Sequence, residues 1–173
     1  MGINKFLSEE NIGLHKEYLE NLKLKYSILE KSDGKIKGLE LSELYKARLS
    51  RDIKSEAISL MEKIKLHEVY FSSFSEEFYN NDGIKREFGS ADNFAYNLLE
   101  ISKKTDEDFV VVYSDRGKIK ISPFKSLQRL QNPYIAIDLY EHAYFLDYKF
   151  NKEEYLRNAV YRINYRLFKA NCN

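Results

Sequence analysis

The chain has three histidines, His15, His67 and His142, and Asp138 stands four residues before the last of them. Neutral imidazole and carboxylate are the donors that first-row metals such as Fe, Mn, Zn and Ni accept. His15 shares helical spacing with Leu19, Leu22, Tyr26 and Leu29, and His67 with Leu60, Ile64, Phe71 and Phe74. Each therefore falls on an apolar helix face. A lone histidine on such a face is ordinarily a core residue satisfied by a hydrogen bond. Two of them on neighbouring helices would enter one core, where each needs a partner to offset its desolvation. A shared metal is one such partner. Asp138 follows the apolar run 134–137, so Asp138 and His142 can converge where a strand passes into a helix. Taken bare, Asp-x-x-x-His is a weak pattern that an exposed Asp and a chance His also satisfy. Four protein ligands leave a fifth position for water or substrate.

Other chemistries find no support in the residue patterns. The chain has no Gly-x-Ser-x-Gly elbow, no Gly-x-Gly-x-x-Gly or P-loop, and no His-Glu-x-x-His. One cysteine, Cys172, excludes an intrachain disulfide and a multi-thiolate site, and points to a reducing cytoplasm.

The elements that must position these residues can be read from period and punctuation. Ser8 is a helix N-cap followed by Glu9 and Glu10 in the first turn, and Leu7 and Ile12 have the spacing of a hydrophobic staple. Ser32-Asp33-Gly34 turns the chain. A second helical stretch is expected over 39–49 and a third over 54–74. The first half thus reads as a helical hairpin over 1–80, its second arm broken near Ser50. Ser90 starts a further helix. Then the period changes: 109–113 is β-branched and aromatic, Asp115-Arg116-Gly117 turns, and 118–122 alternates as a half-exposed partner strand. A third strand is expected at 134–137 and helix from Glu141 onward. Pro123 and Pro133 bracket the expected long loop. The expected fold is α+β: an N-terminal α-helical hairpin, then a lobe over 81–173 with a small three-stranded antiparallel sheet, and a single metal site between them.

Bulk composition fits this. The 173 residues suit one domain or two lobes sharing a core, and 28 basic against 27 acidic side chains argue against a general nucleic-acid binder. No apolar run approaches a membrane span, and the N-terminus has no signal-peptide core.

The string Asp138-Leu139-Tyr140-Glu141-His142-Ala143-Tyr144 resembles the Asp-x-Trp-Glu-His-Ala-Tyr signature of the iron/manganese superoxide dismutases. Leu7-Ser8-Glu9 with His15 resembles that family's first helix. His67-Glu68-Val69-Tyr70-Phe71 resembles its His-x-x-Phe-Trp, and Phe88-Gly89-Ser90 through Phe94 resembles the opening of its C-terminal lobe. The resemblance runs from about Leu7 to Phe168 and implies disproportionation of superoxide at one Fe or Mn ion per chain. It implies His15, His67, Asp138 and His142 as ligands, in a homodimer or tetramer whose Glu141 bridges to the partner subunit's His142.

Around these positions the chain departs from the family pattern. Lys23 stands at the family's gateway tyrosine, where it is either an electrostatic guide for superoxide or a solvated surface lysine. Leu19 and Phe145 replace a His–Tyr pair that crosses the interface. Lys63, or the stretch 124–126, stands where the family places an outer-sphere glutamine; Gln128 and Gln131 are close in sequence but out of register. Phe71, Phe109, Val111 and Tyr140 replace site-lining tryptophans.

Overall fold

The computed structural model describes residues 2–75, 82–128, 130 and 133–171. Gln131, Cys172 and the boundary expected at residue 80 lie outside them. The first long helix, α1, spans Glu9–Ser32. Ser8 caps it as its sequence predicts, its hydroxyl accepting the Asn11 amide at 3.1 Å. Leu7 and Ile12 are buried in one apolar cluster, as a staple requires.

The second helical stretch is shorter than its pattern predicts. Only one turn forms, α2 at Leu41–Leu44, with Glu40 and Glu43 in a reciprocal capping box. The Lys54 ammonium takes the carbonyls of Tyr45 and Ala47 at 2.8 and 3.0 Å, so those carbonyls end the helix instead of continuing it. Helix α3 then runs Arg51–Ser72 antiparallel to α1. Phe74, expected in its last turn, instead makes an isolated antiparallel bridge to Ile163.

Helix α4 spans Asp82–Phe88 and α5 spans Ala91–Lys104, the latter capped by the Ser90 hydroxyl. Strands β1 (Phe109–Asp115), β2 (Lys118–Pro123) and β3 (Ile135–Asp138) form one antiparallel sheet in the order β2-β1-β3. Arg116 and Gly117 both have positive φ, the backbone that a two-residue hairpin turn needs between strands of right-handed twist. The central strand β1 and strand β3 are fully buried along their apolar runs, which explains why neither alternates.

The helix expected from Glu141 is broken into pieces, the last of them a 3-10 stretch over Tyr165–Asn171. A 3-10 turn covers Glu141–Ala143, α6 covers Phe145–Tyr148, and α7 covers Lys152–Val160. The break between α6 and α7 falls at Lys149, whose φ of 52° takes it out of the helical region. The architecture is α+β, a helical N-terminal region followed by the three-stranded sheet. The larger apolar cluster joins both ends of the chain to the sheet, and a smaller one lies within the hairpin. No helix among the described residues is long and apolar enough to cross a membrane.

Candidate metal centre

Four elements meet at one point. His15 comes from α1, His67 from α3, Asp138 from the end of β3, and His142 from the 3-10 turn beyond it. The segment carrying His142 is pinned to α1 by Asn11, fully buried, which donates to the Ala143 carbonyl at 2.7 Å and accepts the Leu146 amide at 3.1 Å. Ser73, just past α3, accepts the Ala136 amide at 3.0 Å, so α3 is registered against β3. Strand β3 is also held from behind, where the buried Tyr155 hydroxyl donates to the Asp138 carbonyl at 2.9 Å.

The side chains converge on a single oxygen. Asp138 Oδ2 lies 3.0 Å from His15 Nε2, 3.3 Å from His67 Nε2 and 3.0 Å from His142 Nε2. Its other oxygen, Oδ1, accepts the Tyr140 amide at 2.9 Å. The four donor atoms all lie within 4.8 Å of one another. First-row metals bind nitrogen and oxygen donors at about 2.0–2.2 Å, which puts neighbouring donors about 3 Å apart at right angles. The spacing found here fits one ion. Although His15 Nε2 lies 3.0 Å from Asp138 Oδ2, neither nitrogen of this buried ring makes a well-formed hydrogen bond, a costly arrangement that an ion would relieve.

Protonation suits ligation. Burial lowers the pKa of His15 from its ordinary 6.5, ahead of the opposing effect of Asp138, so the ring is neutral at pH 7. Burial alone would raise the pKa of Asp138; its close contacts with the imidazoles of His142, His15 and His67 outweigh that and hold the carboxyl well below its ordinary 3.8. The Lys63 carbonyl accepts a hydrogen bond from His67 Nδ1 at 2.7 Å, so Nδ1 carries the proton and Nε2 is left bare to bind.

The residues around the donors are partly those expected. Phe71 packs on His15 at 5.0 Å between ring centroids, Phe109 on His67 at 5.2 Å, and Tyr140 on His142 at 5.2 Å. Glu141 is exposed beside His142. Val111 is buried inside the sheet, and Leu19 is buried within the hairpin cluster. Lys23 does not line the centre; its ammonium pairs with Glu20 at 3.1 Å and with Glu68 at 3.8 Å. Gln128 is exposed, on the side of α2.

Tyr18 is a neighbour of the donors that the motifs miss. Its ring stacks on His142 at 4.0 Å, nearly parallel at 22°. A cavity opens from the donors toward solvent, walled by Tyr18, Lys63, Asp108, Phe109 and Tyr140. The signal for Tyr18 was its place three residues after His15, on the same side of α1. Burial, followed by the charges of Asp138 and Asp108, raises its phenol pKa, so it keeps its proton at neutral pH.

Residues 76–171, more than half of the chain, match the model of the iron/manganese superoxide dismutase C-terminal domain. That span includes Asp138 and His142, while His15 and His67 reach the same point from the helices before it. The chain belongs to the iron/manganese superoxide dismutase family.

Proposed function

We propose that this protein is a superoxide dismutase, with one Fe or Mn ion held by His15, His67, Asp138 and His142. The observation that carries the reading is the convergence of three imidazole nitrogens on one carboxylate oxygen at 3.0–3.3 Å, in a chain of this family. The chemistry that a bound Fe or Mn supplies is one-electron exchange: one superoxide is oxidised to dioxygen, and a second is reduced and takes two protons to give hydrogen peroxide. The chain's own residues do the positioning. Lys63, through its carbonyl, fixes the His67 ring, and the Tyr140 amide holds Asp138 Oδ1 so that Oδ2 faces the donors. Tyr70 and Phe71 pack on the buried His15 ring, and Phe109 packs on His67. Tyr18 brings a protonated phenol to the cavity wall.

The reading includes a homodimer or tetramer in which Glu141 meets the partner subunit's His142. It is supported by His142 being the least buried of the four, its side chain 15% exposed, with the preceding Tyr140 and Glu141 exposed as well. A cytoplasmic location rests on cysteine usage alone.

A second reading is a metal-binding relative with weak or different redox activity. The cavity wall favours it, because no glutamine lines that wall among the described residues. Lost outer partners of this kind typically cost about 10–100-fold in affinity or activity. Elemental analysis paired with dismutase activity on the same sample, for wild type and Asp138→Ala, separates the two. One Fe or Mn per chain with activity lost in the variant is the expected result. Metal without activity selects the second reading, and protein that takes up neither metal overturns the first.

A further inference from the structure

Lys63 is the one cationic side chain among the described residues that line the cavity over the four donors. It stands one helical turn before His67 on α3. Its carbonyl orients His67, and its part-exposed side chain lines the cavity. Across the mouth stands Asp108, the residue before β1, whose Oδ2 is 3.7 Å from Lys63 Nζ. That is longer than a hydrogen bond, and the two side chains remain 41% and 47% exposed. Such a pair is held weakly and can be displaced by a competing anion.

The charge balance gives the competition a direction. An anion entering the cavity meets two carboxylates, Asp108 at the mouth and Asp138 at the floor. Tyr18, Phe109 and Tyr140 bring no compensating charge. Lys23 pairs instead with Glu20 and Glu68, and Lys152 lines a neighbouring cavity with Asp106 and Glu107. The cavity holds about 390 Å³, which admits a diatomic or triatomic anion with water around it.

We propose that Lys63 positions small univalent anions over the candidate metal centre, releasing Asp108 to do so, and that superoxide is bound this way. The proposal rests on the dismutase reading. Lys63 is a positioning residue, and Asp108 is its competitor.

Azide is the probe, titrated into the metal-loaded full chain and followed by its charge-transfer absorption at low and high salt. Lys63→Gln should weaken azide binding about tenfold at low salt, the scale of one charge at close range in a wet site. Lys63→Arg should restore most of the affinity, and Asp108→Asn should tighten binding beyond wild type. All these differences should shrink as salt is raised. If Lys63→Gln loads metal and binds azide as tightly as wild type, the proposal is overturned while the dismutase reading stands. Should that variant fail to fold, unchanged azide affinity in Asp108→Asn overturns it equally. A wild-type chain that loads no metal removes the reading itself, and the proposal with it.

Discussion

Tyr18 shows how one side chain can serve a ligand it does not adjoin in sequence. Its ring lies nearly parallel to His142 at 4.0 Å, and His142 is the candidate ligand closest to solvent. His67 is fixed by a hydrogen bond to a carbonyl, whereas His142 is fixed from this side by stacking. Tyr18→Ala should therefore lower metal affinity by about 10–100-fold in competition with a chelator, the usual cost of losing a group that orients a ligand. Tyr18→Phe keeps the ring and should hold metal nearly as well as wild type. Equal affinity in the alanine variant would show that the stack does not hold His142. The four candidate ligands were legible because histidine is scarce here and each one stood on a readable face or in a specific string. Tyr18 was not, since tyrosine is common in this chain, with 14 copies, and no single one stands out by type. Asn11 was missed for a related reason: a buried amide that pins two segments has no pattern of its own until both segments are placed.

The elements were read best where local chemistry decides them. Ser8 and Ser90 cap the helices that follow, and Arg116-Gly117 makes the tight turn. They were read worst where distant side chains end a helix, as Lys54 does for α2. The same corner contains Glu62 on α3, only 9% exposed. Its Oε1 accepts from the Tyr45 hydroxyl at 2.6 Å, the Ser126 hydroxyl at 2.9 Å and the Leu127 amide at 2.7 Å. One oxygen thus ties α3 to the end of α2 and to the loop that leaves β2, one residue from the turn that orients His67. Glu62→Ala leaves three donors without an acceptor and should cost about 3 kcal/mol in denaturant unfolding. Glu62→Gln retains an acceptor oxygen and should cost less. A loss within about 0.5 kcal/mol for the alanine variant would mean that water satisfies these donors.

At the scale of the whole molecule, the candidate centre is placed where the two apolar clusters meet, with Phe71 packed against both. Its buried imidazoles and carboxylate make stability depend on pH, and the direction follows from proton counts. An unfolded chain protonates His15 at its ordinary 6.5, but burial lowers that pKa in the folded protein. Below 6.5 the unfolded state therefore binds more protons, and the metal-free protein should lose stability as pH falls through this range. Asp138, depressed below its ordinary 3.8, contributes stability that is complete above that value and is lost at still lower pH. A bound ion adds stability in proportion to its occupancy of the folded state, and imidazole must be unprotonated to bind it. Thermal melts with and without added Fe or Mn at pH 7.5 and pH 5.5 test both effects. The metal-free melting temperature should be lower at pH 5.5, and the increment gained from metal should be larger at pH 7.5. An increment of the same size at both values would mean that the ion is not held through histidine, and the four-ligand assignment would fail with it.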